Sequence, residues 1–348
     1  MKIALVMLDR NFGGMQKAFV NYAIELTNRG IEVLCVCRNG SVSEDLLRKN
    51  GVPSIFTIRN RFGFYDPFSV HSMGIGMDVF FANETHAYAL TFGARPTYFS
   101  GKLKRGRSGL RVAASLPNKA DYRYYRNADI LIPSTGRLAN PNYHKNLQNT
   151  VFSEVVPRFS RVKPVNKVQL KQIKNLIAAG RFVRKKGFDY LLRAIRKVKV
   201  EHPEIILKIA GNGPEEFNLK TLCSELNLDS NVEFLGFRTD VPRLIAESDM
   251  LIVPSIIEPF GNILLEGMAV GTPIVTTRND GALENLDSTT AKFADKASAT
   301  SLAAAIMDAM ENPESTHVRA ENALKKFKKH YTPDVVIPQF LSVLEKIP

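Results

Sequence analysis

Residues 251–277 read LIVPSIIEPFGNILLEGMAVGTPIVTT, an apolar run followed by a turn, a helical segment and a second apolar run. The run LIVPS predicts a buried strand, which ends at the turn formed by Pro259, Phe260 and Gly261. A helix is predicted from Asn262 onward, and PIVTT predicts the next strand. A strand, a helix and a strand in this order are typical of the parallel sheet of an α/β domain.

The same alternation extends over the whole chain in two series of predicted strands. The first series comprises residues 2–8, 31–37, 53–58, 78–82, 96–100, 128–134 and 149–156, with helices near 15–28, 42–50, 66–73 and 84–91. The second series comprises residues 175–180, 205–211, 232–236, 249–255, 273–277 and 291–294, with helices starting near 187, 215, 240 and 262. The strands of the second series are nearly all apolar, which indicates a parallel sheet covered on both faces.

We therefore predict an α/β protein of two Rossmann-like, doubly wound domains, residues 1–160 and 161–330. The junction falls in residues 157–175, which carry prolines and charges and show little periodicity. Residues 331–348 are apolar enough to need a partner surface, so we predict a C-terminal helix that packs on the first domain.

The formal net charge of +13 predicts polyanionic partners: nucleic acid, anionic lipid or a phosphorylated glycan. Residues 95–111 carry cations and no acid, and residues 59–65 mix cations with aromatic rings, as suits an anionic membrane surface. Solvated basic loops are the alternative. No nucleic-acid partner is expected, because the basic stretches lack the spaced aromatic residues of a stacking platform.

The cellular compartment of the protein is predicted from three kinds of sequence feature that the chain lacks. No apolar window approaches the ~18 residues of a spanning helix, the run MKIALVML is too short for a signal peptide, and the three cysteines have no metal-ligand spacing. We expect a cytoplasmic protein, peripheral on the inner face of the cytoplasmic membrane if its basic stretches share one face.

Two carboxylates flank the turn and the helix start of the opening stretch. Glu266 lies four residues into the predicted helix, where it can reach ribose hydroxyls, and Glu258 lies on the loop, where it can reach a sugar. A carboxylate accepts hydrogen bonds from two hydroxyls at once, as a vicinal diol requires. The positive helix end at Asn262 suits a diphosphate. The alternatives are a solvated loop acid at Glu258 and an ordinary surface residue at Glu266.

Cations and glycines follow other predicted strands, where open α/β sheets bind their ligands. Arg181 and Lys186, in the loop RFVRKKG, suit a diphosphate leaving group, with a basic surface turn as the alternative. Gly13 and Gly14 precede a helix whose N–H groups can meet phosphate, unless they only allow the helix to pack.

Two further loops follow strands of the second series. Gly211, Asn212 and Gly213 form a tight loop in which a nucleotide ring can lie against the backbone. The backbone at Gly236 and Phe237 can contact the edge of the base.

Four motifs in a fixed order resemble those of the retaining GT-B glycosyltransferases of family 4. They are G-R-F-x-x-x-K-G at residues 180–187, A-G-N-G-P at 210–214, F-L-G-F-x-x-D-V-P-x-L at 234–244, and S-x-x-E-P-F-G-x-x-L-L-E-G-M-A-x-G-T-P-I-V at 255–275. The resemblance covers residues 178–277 almost continuously, but in the first domain only F-G-G-M-Q and the strand order. The version F-G-G-M-Q-K-A-F, with the basic charge, is similar to the sugar transferases that build the lipopolysaccharide core.

The resemblance implies a GT-B fold, with two domains facing across a cleft, and a nucleoside diphosphate sugar as donor. Family members transfer the sugar with retention, usually without a catalytic metal, so no cofactor or metal is expected. No protein nucleophile is assigned, and the leaving phosphate itself accepts the acceptor proton. The implied donor contacts are Arg181, Lys186 and the backbone of Gly14, Asn262 and Ile263 for the phosphates, Glu266 for the ribose, and Glu258 for the sugar. Gly261 is a further implied donor-binding residue.

Two positions depart from the family pattern. Family members often carry a histidine after the fourth strand of the first domain, and here His86 comes several residues after the strand predicted at 78–82. We retain His86 as a candidate for contacting the donor sugar, with a surface residue or helix cap as the alternative. The frequent G-G-x-x-E motif appears as D-G-A-L-E at 280–284, which leaves the role of Glu284 open.

The sequence thus predicts a retaining hexosyltransferase that moves a sugar from a nucleoside diphosphate to a hydroxyl of a membrane glycolipid or surface polysaccharide, with the lipopolysaccharide core favoured. A nucleotide-sugar 2-epimerase of the same fold and a transferase with a soluble acceptor are the alternatives. An inactive sugar-binding relative fits less well, because Arg181, Lys186, Glu258 and Glu266 are all kept.

Overall fold

The computed structural model describes residues 1–9, 13–59, 67–104, 106–107, 109–116, 122–144, 153–167 and 172–347. The chain forms two compact units: Met1–Phe159 together with Pro333–Pro348, and Ser160–Thr332. The second unit is therefore inserted between two segments of the first. The sequence places these divisions after residues 160 and 330.

The first unit is built on one parallel sheet. It contains β1 (Lys2–Val6), α1 (Gly14–Asn28), β2 (Glu32–Arg38), α2 (Val42–Lys49), β3 (Ser54–Ile58), α3 (Pro67–Phe80), β4 (Ala87–Phe92), α4 (Ala94–Lys104), β5 (Leu110–Leu116), α5 (Tyr122–Tyr125) and β6 (Ile130–Pro133). These strands pair in the order β3-β2-β1-β4-β5-β6, and every pairing is parallel.

The second unit repeats this plan. It contains β7 (Asn175–Ala179), α6 (Phe188–Glu201), β8 (Ile206–Ala210), α7 (Glu216–Glu225), β9 (Val232–Gly236), α8 (Val241–Glu247), β10 (Met250–Val253), α9 (Asn262–Ala269), β11 (Ile274–Thr277), α10 (Asp280–Asn285), β12 (Lys292–Ala294), α11 (Ala299–Glu311) and α12 (Pro313–His330). The strands pair in parallel in the order β12-β11-β10-β7-β8-β9.

A further helix, α13 (Pro333–Glu345), belongs to the first unit. Its residues Val336, Ile337 and Phe340 are fully buried in the core that also contains Tyr22 of α1. The rings of Tyr22 and Phe340 meet edge to face, with their centroids 4.9 Å apart. The first unit thus completes its core with a helix that follows the whole second unit in the chain.

The doubly wound α/β class and the six predicted strands of the second unit are confirmed. In the first unit the strands predicted at 78–82 and 96–100 are wrong, because these residues lie in and just after α3 and within α4. The helix predicted at 84–91 is wrong as well, since most of it forms β4. DVFFA and PTYFS are rich in residues with strand propensity, but their rings join the apolar core from α3, from the turn after it and from α4.

Some predicted features lie outside the described residues. These are Phe12 of the F-G-G-M-Q motif, residues 60–65 of the basic and aromatic segment, and the first part of the strand predicted at 149–156. Its described part, residues 153–156, forms no strand. Within the described residues, no helix combines the length and the apolar character needed to cross a membrane.

Candidate functional site

In the second sheet the strand order reverses between β7 and β10. β7 pairs with β8 on one side and with β10 on the other, so the connections that follow β7 and β10 build the sheet outward in opposite directions. Ligands of open α/β sheets bind at the carboxyl ends of the strands at such a reversal. The loops after β7 and β10 are therefore the expected ligand-binding edge of this sheet.

These two loops are bonded to each other. The carbonyl oxygen of Lys185 accepts hydrogen bonds from the backbone N–H groups of Ile256 and Ile257, at 2.9 and 3.1 Å. Next to this contact the Lys186 Nζ and a Glu258 carboxylate oxygen form an ion pair. The structure thus brings together two residues that the sequence assigned to the diphosphate and to the sugar.

The Lys186–Glu258 pair is largely withdrawn from water. The side chain of Lys186 is 21% exposed and that of Glu258 is 13% exposed. The alternative reading of Glu258 as a solvated loop acid is therefore wrong. Charges in such a position act on a ligand more strongly than fully solvated ones, because less water screens them.

Gly187 sets the geometry at the end of the Lys186 loop. It has φ of +67°, and a Cβ at this position would overlap the carbonyl oxygen of Pro254. Only glycine meets both conditions without strain. The close passage of the two loops, and with it the Lys186–Glu258 pair, depends on this residue.

The Glu258 loop is also held by α10 and by Asn279, which precedes this helix. The N–H of Gly281 donates to the carbonyl oxygen of Glu258 at 2.6 Å. The Nδ2 of Asn285, which is 1% exposed, donates to the carbonyl oxygens of Phe260 and Gly281 at 2.6 and 2.8 Å. The Nδ2 of Asn279, itself fully buried, donates to the carbonyl oxygen of Ser255 at 3.2 Å. These side-chain amides fix the loop that carries Glu258.

Sequence reasoning missed both asparagines, since it singled out this segment only for Glu284. Glu284 is exposed, whereas Asn279 and Asn285 are buried. Their positions give a weak signal: two asparagines in a segment that follows a buried strand. Only the structure shows that their partners are the carbonyl groups around Glu258.

Glu266 lies in α9, whose first residues Asn262 and Ile263 are half-buried after Gly261. Glu266 is 5% exposed, so the alternative of an ordinary surface residue is wrong. A carboxyl group is seldom this deeply buried without a specific role or partner. The start of α9 also presents N–H groups, with the positive end of the helix dipole, after the carboxyl end of β10.

Arg181 follows the last residues of β7 and is exposed. In the described part of the chain its guanidinium has no hydrogen-bond or ion-pair partner. It is thus available to an anion on the same loop as Lys186.

Backbone hydrogen bonds join the predicted nucleotide loops to the Arg181 loop and to each other. The N–H of Phe182 donates to the carbonyl oxygen of Asn212 at 2.7 Å, and the N–H of Gly211 donates to that of Gly236 at 2.7 Å. A Cβ at Gly211 would overlap the carbonyl oxygen of Gly180. Backbone packing therefore already requires this glycine, whatever ligand binds.

Two other predicted donor residues of this edge can be placed. Gly213 lies against the backbone of Phe182, and Phe237 is 54% exposed. Their donor contacts stay predictions.

In the first unit, Gly13 and Gly14 lie where the sequence predicts them. Gly13 caps α1 and Gly14 begins it, and both are exposed. The turn thus leads from the carboxyl end of β1 into a helix start, an arrangement that suits an anion. Phosphate binding at Gly14 stays a prediction.

His86 requires a correction. The fourth strand of the first sheet is β4, so His86 immediately precedes that strand instead of following it. β4 is parallel to β1, with Ile3 beside Tyr88, so His86 lies at the amino edge of the sheet, opposite to Gly13. The residues that follow β4 are Gly93 and Ala94. The strand assignment that led to His86 is wrong, and we give this exposed residue no role at the site.

Residues 163–326 match the family model described as glycosyl transferases group 1. Two lipopolysaccharide core biosynthesis glycosyltransferases of Rhizobium meliloti are similar to the chain. LpsE is 27% identical over 77% of this chain and 77% of its own length, and LpsD is 26% identical over 77% and 76%. Among solved structures, Anabaena HepE in complex with UDP and glucose has a TM-score of 0.83 and 17% identity, and the match covers 99% of this chain and 100% of that chain.

The whole-chain likeness to HepE shows the fold, and the family match falls on the unit that carries Lys186, Glu258 and Glu266. Together the matches support a glycosyltransferase with the GT-B fold, in which residues 163–326 are similar to the group 1 glycosyl transferases.

Proposed function

We propose that this protein is a retaining glycosyltransferase that moves a sugar from a nucleoside diphosphate to a hydroxyl of a membrane glycolipid or surface polysaccharide, with the lipopolysaccharide core as the favoured acceptor. The observation that carries the proposal is the Lys186–Glu258 ion pair between the loops after β7 and β10. A cation suited to phosphate and a carboxylate suited to sugar hydroxyls are fixed side by side at the ligand-binding edge of one sheet.

Each side chain has a defined part in this proposal. Lys186 and Arg181 stabilise the diphosphate, whose negative charge grows as the bond to the sugar breaks. The N–H groups at the start of α9 bind the same phosphates. Glu258 accepts hydrogen bonds from sugar hydroxyls, and Glu266 accepts them from the ribose.

The proposed reaction needs neither a protein nucleophile nor a metal ion. The acceptor oxygen forms a bond to the anomeric carbon on the face from which the diphosphate departs, and the bond from that carbon to the phosphate oxygen breaks. The acceptor proton passes to the departing phosphate. The protein contributes position and positive charge.

The acceptor class is inferred from the relatives and from charge. LpsE and LpsD are named for lipopolysaccharide core biosynthesis, and the net charge of +13 favours an anionic acceptor and an anionic surface. On this proposal the protein works in the cytoplasm, at the inner face of the membrane. HepE was solved with UDP and glucose, so UDP-glucose is the first donor to test.

The test has two stages. A panel of nucleotide sugars is first screened by thermal shift, because a ligand that binds the folded state stabilises it in proportion to occupancy. The donor found in this way is then incubated with truncated lipopolysaccharide core, and released nucleoside diphosphate and the anomeric configuration of the product are measured.

We expect nucleoside diphosphate to be released only when the acceptor is present. The product should keep the anomeric configuration of the donor sugar. Conversion of the nucleotide sugar without any acceptor would instead identify an epimerase. Transfer only to a small soluble acceptor would overturn the membrane part of the proposal, and an inverted product would overturn retention.

A further inference from the structure

We propose that the outward face of α3, with the adjoining part of α4, is a docking surface for an anionic lipid bilayer. We call this surface the α3 face and define it by Phe68, Ile75 and Val79 of α3 and by Tyr98 and Lys102 of α4. The inference rests on the proposed function only in that an acceptor held in a membrane calls for such a surface. Its own support comes from residues of the first unit, none of which binds the donor in the proposal.

The α3 face is apolar where a solvated helix is normally polar. Phe68, Ile75 and Val79 are 71%, 51% and 75% exposed. Their spacing of seven and four residues places them on one side of the helix. Met73 and Met77, on the other side, are fully buried in the core under the sheet. The core explains the inner apolar side of α3, whereas the outer apolar side is exposed.

Helix α4 adds a cation and an aromatic ring to this apolar face. Lys102 Nζ lies 5.0 Å from the centroid of the Tyr98 ring. Both residues, with Ile75, line a pocket of about 370 Å³ between α3 and α4. An aromatic ring with a polar end and a lysine with an apolar stem are typical of the zone between acyl chains and headgroups.

The ion pairs beside the α3 face show which cation is the best one to mutate. Lys104 is paired with Asp129, and Arg107 is paired with Asp78. The hydrogen bond from Arg107 lowers the pKa of Asp78. Over the described ranges of the chain, Lys102 has no ion-pair partner. Of the described cations of residues 95–107, Lys102 is therefore the one best placed to meet a lipid phosphate.

Charge also favours a bilayer over a second copy of the chain. The chain carries a net charge of +13, so two copies repel each other, whereas an anionic lipid surface attracts the chain. Apolar side chains that insert among lipids and a cation that meets their phosphates are the two contributions that hold a peripheral protein on such a surface.

The test is co-sedimentation of the full chain with vesicles, either of phosphatidylcholine alone or with phosphatidylglycerol added. The test variant combines Phe68→Ser, Ile75→Ser and Val79→Ser. The matched control combines Phe217→Ser, Val318→Ser and Val200→Ser in the second unit, where the native side chains are 79%, 52% and 72% exposed. Because all six side chains are exposed, both variants should fold, and their melting temperatures should match that of the wild type.

We expect the wild type and the control to bind the anionic vesicles and not the neutral ones. The α3 variant should bind them at least about tenfold more weakly, since it removes the apolar area of three inserting side chains. Lys102→Glu should weaken the same binding at least about fivefold, and added salt should reduce that difference.

The proposal is overturned if the α3 variant binds anionic vesicles like the wild type, or if the wild type binds neutral vesicles equally well. A concentration-dependent dimer that only the α3 variant abolishes would assign the face to a second copy instead. The donor proposal is checked separately, because the thermal shift with nucleotide sugars needs no vesicles and should be the same in the α3 variant.

Discussion

Lys186 and Glu258 are 72 residues apart in sequence, yet they meet because β7 and β10 are neighbours in the sheet. In the proposed mechanism the two residues of this ion pair act on different parts of the donor. Lys186 acts on the diphosphate, and Glu258 acts on the sugar. Substitution of each residue should therefore change a different measured quantity.

Glu258→Gln keeps the size of the side chain and removes its charge. We expect turnover to fall roughly 100-fold, because the carboxylate no longer holds the sugar in position, while the affinity for nucleoside diphosphate stays nearly the same. Turnover and nucleotide affinity are measured separately. Glu215→Gln is the control, since Glu215 also pairs with a cation of the 184–186 turn, Arg184, at 3.5 Å. Wild-type turnover in Glu258→Gln would remove Glu258 from the site.

Lys186→Gln should weaken the binding of nucleoside diphosphate and also lower turnover, because one positive charge on the leaving group is lost. Isothermal titration and initial rates measure the two effects. The neighbouring Lys185 is exposed, so Lys185→Gln is a control one residue away. If the two variants behave alike, the assignment of Lys186 to the diphosphate is wrong.

At the scale of elements, the loop that carries Glu258 is held by groups on two others: the 184–186 turn on one side and α10 on the other. Asn285 is the main side-chain support on the α10 side, since its Nδ2 bonds the carbonyl oxygens of Phe260 and Gly281. Asn285 touches no substrate in this scheme. Its effect on the reaction should come only through the position of Glu258.

Asn285→Ala should lower the free energy of unfolding by about 2 kcal/mol, because it leaves buried carbonyl groups without a donor. It should also lower turnover more than nucleotide affinity, in the same sense as Glu258→Gln. Chemical denaturation and kinetics measure both. Asn322→Ala, which removes an exposed bond to the carbonyl oxygen of Thr289, should change neither quantity appreciably. A normal turnover in a destabilised Asn285→Ala would show that the residue is only structural.

Gly187→Ala tests the close passage of the two loops. Gly187 and Gly30 have similar φ angles of +67° and +74°, but a Cβ at Gly30 meets no atom within 4 Å. Gly30→Ala should therefore cost about 1 kcal/mol of stability from the backbone angle alone. Gly187→Ala should cost more and should also reduce turnover, since the loops must separate. Equal losses of stability with full activity in both variants would contradict the proposed role of the contact.

The elements also show why prediction succeeded in one unit and failed in part of the other. In the second unit the strands are mostly apolar runs between glycines or polar turns, with single charged residues such as Lys208 in β8 and Glu233 in β9, and their positions follow from the local pattern. In the first unit the run DVFFA lies at the end of α3 and just after it, PTYFS lies within α4, and Arg111 and Ser115 interrupt the apolar run of β5. The local pattern of apolar residues does not distinguish the packed face of a helix from a strand.

The same limit applies to the site. Lys186, Glu258 and Glu266 lie in motifs that sequence can recognise. The misplaced fourth strand led to His86, while Asn279 and Asn285 needed knowledge of which carbonyl groups lie beside them. The local sequence pattern does not show which segments, distant in sequence, contact each other in the fold.

At the scale of the molecule, the two units have separate cores, so a cavity in one should destabilise that unit first. Phe340 of α13 and Phe327 of α12 are both fully buried, the former in the core of the first unit and the latter in that of the second. Phe340→Ala should cost about 3–5 kcal/mol and speed amide hydrogen exchange in β1 and β2, with little change in β7 to β10. Phe327→Ala should do the reverse. Uniform changes over both units in either variant would show that they unfold together.

The insertion of residues 160–332 within the first unit also fixes an order of events during synthesis. The strands β1 to β6 leave the ribosome first, but α13 is made only after the whole second unit. Until then the apolar surface around Tyr22 has no Phe340 to cover it. The second unit, which is continuous in sequence, can close its own core earlier. The unit whose strands are translated first is thus the unit whose core is completed last, and in the interval its apolar surface around Tyr22 lacks the cover of α13.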